Sequence, residues 1–160
     1  MHDQGSRSGA LPALLWGGGL AGVLDLLWAF FLYGRRAGPV PVLQSIASGL
    51  LGADAYKGGA GTAALGFLLH FVIAFGAAAV YYLVSRRLGF LVRWAVLCGL
   101  LYGIAVYLFM NFVVLPLSAF PGKITYPPRA LVIGILGHMF LVGLPIALAI
   151  RRWRPAEPPL

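Results

Sequence analysis

The chain has 160 residues, of which 61% are hydrophobic and only 10% charged, with 22 glycines and a formal net charge of +8. That composition lies outside the soluble globular range and leaves no room for a separate soluble domain. The positive balance does not indicate nucleic acid. Arg35 and Arg36, Arg86 and Arg87, and Arg151, Arg152 and Arg154 stand at the ends of apolar segments, where they anchor topology and meet anionic lipid head groups of the bilayer.

Residues 1–10 read as a disordered N-terminal tail, followed by one transmembrane domain over residues 11–154 and a short tail over 155–160. The expected fold class is all-α, a polytopic membrane protein built as a four-transmembrane-helix bundle. Its spans fall at about 13–33, 62–84, 94–115 and 130–150, each close to the 20 residues that a helix needs to cross hydrocarbon. The first apolar run is too long for the core of a signal peptide and is read as a retained span. Trp16, Tyr33, Tyr81, Tyr82, Trp94 and Trp153 fall toward span ends, where amphipathic aromatics settle.

The first loop has a pattern of its own. Leu43, Ile46, Ala47, Leu50 and Leu51 recur at helical spacing, with Gln44, Ser45 and Ser48 on the other face. Pro39 and Gly52 punctuate a short helix that is amphipathic on the membrane surface or re-entrant against the bundle. The third loop, over 116–128, is proline-rich and reads as a stiff cap. Cys98 stands alone in an apolar run, so it has no internal partner and reads as a packing residue.

Arginine and lysine set the orientation. The terminal side carries Arg7, Arg86, Arg87, Arg93, Arg151, Arg152 and Arg154, seven in all, against five on the other side: Arg35, Arg36, Lys57, Lys123 and Arg129. The excess favours both termini in the cytoplasm.

Three ionisable residues lie inside the spans. Counted from the terminal side at 1.5 Å per residue, Asp25 is about 18 Å deep, His138 about 18 Å and His70 about 21 Å, with Asn111 at about 25 Å. Intramembrane charges are costly, so such residues turn inward and find partners. Asp25, His70, His138 and Asn111 are therefore the candidate polar centre. Their helices carry small residues suited to close crossings: Gly18 and Gly22 with Asp25, Gly66, Ala74 and Ala78 with His70, and Gly134 with His138. Pro145 should kink the fourth span. A weak internal repeat pairs Gly18-x-x-x-Gly22 with Gly99-x-x-x-Gly103 and His70 with His138, as two parallel halves would.

Hydrogen bonding across helices is one use of such a centre. Proton coupling or transport is another, since Asp and His are the usual parts of a relay; a chain this small would form a homodimer or join a larger membrane complex to make a pathway. A third is haem or a divalent metal held by His70 and His138. No phosphate-binding glycine loop, Gly-x-Ser-x-Gly elbow or His-Glu-x-x-His motif is present, which argues against an enzyme and assigns no catalytic residues. The leading expectation is a non-enzymatic membrane protein, either a structural or accessory subunit or a transporter-like unit, with a haem- or metal-binding component as the alternative.

The segments Gly19-Leu-Ala-Gly-Val-Leu-Asp25, His70 through Tyr81-Tyr82, Met110-Asn111-Phe-Val-Val-Leu-Pro116-Leu and Gly137-His138 resemble a family of uncharacterised bacterial four-span inner-membrane proteins, and more distantly the YagU type. In that group a histidine in span two, a proline after span three and a Gly-His in span four recur, corresponding to His70, Pro116 and Gly137 with His138. Asn111 departs from it near a position that can be histidine, and Asp25 has no matched counterpart. The resemblance covers most of residues 14–152 and implies a bacterial inner-membrane location without a defined activity.

Overall fold

The computed structural model describes residues 4–153, without the side chains of residues 4–8 and 36. All regular structure among them is helical. Four helices are long and apolar enough to cross a membrane: α1 (Gly9–Gly34), α3 (Gly59–Ser85), α4 (Ala95–Leu117) and α5 (Pro128–Trp153). Between the first two lies α2 (Pro39–Leu51). The helix that contains α1 begins at Gln4, so residues 4–10, expected as a tail, form its first turns. Gly9 runs against the Trp153 backbone at the end of α5. Residues 1–3 and 154–160, including the expected C-terminal tail, lie outside the described residues.

The chain is inside-out relative to a water-soluble bundle. Small residues fill the interior, with Ala13, Ala21, Ala78, Ala95 and Ala147 almost fully buried, while Leu15, Leu27, Leu68, Leu101 and Phe140 face outward. In lipid, large apolar side chains gain nothing by turning inward, and helices associate where small residues let backbones approach. Gly18 and Gly22 meet Phe75 and Phe71 of α3, and Gly22 also meets Ala74. Gly99 packs against Ala147 of α5, and Gly103 against the backbone of His138 and Met139. Each Gly-x-x-x-Gly pair thus serves the crossing between the two spans of its own half. Gly66 behaves differently: it meets the backbone of α2 at Leu43 and Ala47 rather than another span.

The helix α2 starts after Gly38, whose φ of 83° turns the chain, and ends at Gly52, whose φ is 61°. Residues with side chains rarely adopt such angles. Its polarity is inverted with respect to water. Gln44 is 6% exposed and Ser48 fully buried, whereas Leu50 is 62% exposed. Gln44 donates from Nε2 to the Gly59 carbonyl at 3.1 Å and to Thr62 Oγ1 at 3.3 Å. A helix that hides its amides and displays its leucines is solvated by lipid, which favours the re-entrant reading over the surface one.

Three of the four spans contain a widened π turn: Phe30–Gly34, Met110–Val114 and His138–Gly143. Pro116 and Pro145 each follow such a turn by two residues. Proline lacks the N–H for the preceding turn and its ring crowds the carbonyl four residues back, and a π turn relieves both. The distortion expected at Pro145 is therefore present as a widened turn that begins at His138.

Candidate functional site

Asp25 and His138 meet across the α1–α5 crossing. His138 Nδ1 lies 3.9 Å from Asp25 Oδ1 and 3.0 Å from the carbonyl oxygen of Gly134, one turn back on its own helix. A carbonyl only accepts, so Nδ1 carries the proton. That proton is committed to Gly134 while the carboxylate waits just beyond hydrogen-bond range. The His138 ring rests edge-on against Tyr107 of α4, with centroids 5.1 Å apart. His70 reaches α1 from the other side, and its Nε2 donates to the Gly22 carbonyl at 2.8 Å. Gly22 is three residues before Asp25, so all three ionisable side chains gather within a turn of α1.

Asp25, His70 and His138 line one inner cavity of about 150 Å³, closed by Ile73, Met110 and Val142. It has space for several waters, each of which occupies about 30 Å³. Asp25 and His138 also form the floor of an outer cavity of about 260 Å³, which continues past Tyr107 and Asn111 to Tyr33 and Tyr126. Those last residues lie at the loop end of the bundle, about 12 Å beyond Asp25 at 1.5 Å per residue. The Asp25–His138 pair is thus the partition between two cavities. A third space, an apolar groove of about 470 Å³ between α2, α3 and α4, shares Ile46, Ile73 and Met110 with the inner one. Beside it, α3 and α4 are joined by Tyr102, which donates to the Ala77 carbonyl at 2.7 Å and stacks edge-on against Tyr81.

Asn111 does not reach the inner cavity. It donates from Nδ2 to the Tyr107 carbonyl at 2.9 Å, and its own carbonyl accepts from Tyr126 at 2.6 Å. It tethers the third loop to α4 and walls the outer cavity.

A haem does not fit between His70 and His138. Their shared cavity is half the size of the smallest typical ligand pockets, which run from about 300 to 1,000 Å³, and His70 Nε2 is already engaged. Among the described residues, no three His, Cys, Asp or Glu side chains are grouped to hold a metal ion.

Several residues of the outer cavity are not marked by the counting of charges along spans. Trp28 and Tyr107 line it, as does Tyr126 from the third loop. The Trp28 indole N–H is buried with no hydrogen-bond partner among the described residues. Trp28 follows Asp25 by three residues, so it shares that helix face, and this spacing is a signal in the sequence. Tyr126 carries no comparable signal.

Charge outside the spans is simple. Asp54 and Lys57 form an exposed ion pair at 2.7 Å, and the Lys57 ammonium, by hydrogen bond and charge, holds the Asp54 carboxyl below the ordinary carboxylate value. It lines none of these cavities.

Fold and composition define a multi-pass integral membrane protein of four spans. No family model, curated protein or solved structure matches the chain.

Proposed function

We propose that the protein is a small transporter-like unit of the bacterial inner membrane, with both termini cytoplasmic, in which Asp25, His138 and His70 form a proton-exchanging polar centre. The observation that carries this reading is the partition: Asp25 and His138 line two cavities at once, one leading to the loop end and one to His70. A purely structural polar contact has no need of cavities on both faces. Carboxylate and imidazole side chains inside a membrane are the usual stations of a proton relay. The groups that face Asp25 are His138 from α5, His70 from α3 across the inner cavity, and Tyr107 from α4.

The His138 ring has two partners for one proton. Turning Nδ1 from the Gly134 carbonyl toward Asp25 would close the 3.9 Å gap, and a proton taken up at Nε2 would then let the Nδ1 proton pass to the carboxylate, leaving the imidazole neutral and the acid protonated. The inner cavity then connects the pair to His70, whose Nδ1 is free of the Gly22 bond. A homodimer or a larger membrane complex would complete the path toward the terminal side.

The test is proton movement in liposomes containing the purified protein and a pH-sensitive dye. Wild type should dissipate an imposed pH gradient faster than empty vesicles, and Asp25→Asn should abolish the difference while the protein remains folded in detergent. A folded Asp25→Asn variant with unchanged flux, or a wild type with no flux and no carboxyl titration by infrared difference spectroscopy, overturns the reading.

A further inference from the structure

The outer cavity contains more than a proton path requires. Its floor is the Asp25 carboxylate and its walls include Trp28, Tyr33, Tyr107 and Tyr126, with no lysine or arginine among the described residues of the lining. Asp25 makes no hydrogen bond among the described residues, and its nearest charge partner, His138, stands at 3.9 Å. Tyr107 is only 8% exposed, yet its hydroxyl makes no hydrogen bond among the described residues and it lines the cavity. That hydroxyl is open to the cavity, whereas the Trp28 indole N–H beside it is fully buried with no partner among the described residues, which is costly unless something else supplies an acceptor. Two glycines of α5 keep these rings in place. A Cβ at Gly134 would strike the Tyr107 ring and hydroxyl, and one at Gly137 would lie 2.6 Å from Trp28 Nε1.

We propose that this cavity binds a small organic ammonium ion, an alkylamine or a quaternary amine bearing a hydroxyl or similar acceptor. Aromatic faces attract a cation through their quadrupoles, most strongly where water is excluded, and Asp25 supplies the compensating charge. The Tyr107 hydroxyl donates to the acceptor atom of the ligand. About 260 Å³ admits a molecule smaller than a typical drug and excludes a long acyl chain. Among the described basic side chains of this end of the bundle, Arg35, Lys57, Lys123 and Arg129 lie outside the lining. The proposal rests on the reading above in one respect, that Asp25 ionises and is reached from the loop end. Ammonium and proton then compete for one carboxylate, so binding either releases the other, which is the elementary requirement for exchange.

Choline and its uncharged isostere 3,3-dimethylbutan-1-ol are the probes, titrated calorimetrically into the full chain in detergent. Choline should bind saturably and the isostere roughly tenfold more weakly or not at all, since only the charge differs. Asp25→Asn should lose choline by a similar factor. Tyr107→Phe, which keeps the ring, should weaken choline less than Tyr107→Leu, which the cation–π range places at roughly threefold to thirtyfold. Raising the proton concentration should weaken choline in wild type. Equal affinity for choline and the isostere, or no saturable binding of choline, tetramethylammonium or methylammonium, overturns the proposal. Should Asp25→Asn fail to fold, the isostere comparison and the two Tyr107 variants still decide. Proton flux without ammonium binding sinks this proposal alone, whereas ammonium binding with neither proton flux nor carboxyl titration sinks only the reading it rests on.

Discussion

His70 Nε2 lies 2.8 Å from the carbonyl oxygen of Gly22, so a side chain of α3 is bound to the backbone of α1 at a point where Gly22 has no side chain to intervene. The contact fixes the α1–α3 crossing and holds the imidazole over the inner cavity. It also fixes the tautomer, since a carbonyl accepts only. Replacing His70 by Ala should lower bundle stability by about 0.6–2 kcal/mol, the range of interhelical hydrogen bonds in membranes. Gln, which still donates, should recover part of that. Thermal unfolding in detergent measures both.

Gly134 gives the Tyr107 ring its place. A Cβ there would come within 2.7 Å of Tyr107 Cζ and 2.8 Å of its hydroxyl. Gly134→Ala should displace the ring into the outer cavity and destabilise the protein by about 1–3 kcal/mol, as overpacking does. Reduced choline binding and a lower melting temperature would appear together. Gly76, with nothing within 4 Å of its added Cβ, should accept Ala without loss and serves as the control.

The buried face of α2 makes a prediction of the opposite polarity from that of a surface helix. Gln44→Leu removes the bonds to Gly59 and Thr62 and should cost about 0.5–1.5 kcal/mol, the net worth of a lost hydrogen bond. A nitroxide at Leu50 should report an apolar, oxygen-rich environment in bilayers. Easy access of a water-soluble relaxation agent at that site would place α2 on the surface instead.

The exposed pair Asp54–Lys57 should matter little. Lys57 depresses the Asp54 carboxyl and Asp54 raises the Lys57 ammonium. Any stability from the aspartate is thus present above the ordinary carboxylate value of about 4 and is lost as pH falls through the lower folded value. Both side chains are fully solvated and screened by salt. Asp54→Asn should leave the melting temperature unchanged at pH 7, and a clear drop would reveal a role that the surface geometry does not explain.

The four spans were legible because apolar runs of about 20 residues, three of them ending at arginine pairs, match the length of a membrane-crossing helix, and their limits move by only a few residues in the structure. Counting depth placed Asp25 and His138 on one level, and they lie 3.9 Å apart. The same count put His70 about 3 Å deeper than Asp25, whereas it binds Gly22, one turn from Asp25 on the shallower, terminal side. Rotation was harder to read than depth. A π turn adds a residue and shifts the face of everything beyond it, while Tyr107 and Asn111, four residues apart, share a face by ordinary helical spacing that does not say which neighbour the face meets. The inverted polarity of α2 was hidden for another reason: an amphipathic pattern says which residues share a face and not which face meets lipid.

The widened turn at His138–Gly143 has a mechanical consequence. It stores one surplus residue in α5, and passing that surplus up or down the rod turns the neighbouring stretch by roughly 100° without breaking the helix. His138 is its first residue and stands in the wall between two chambers. Corkscrewing by a single position would swing the imidazole from one chamber to the other, like a revolving door set into a fixed frame.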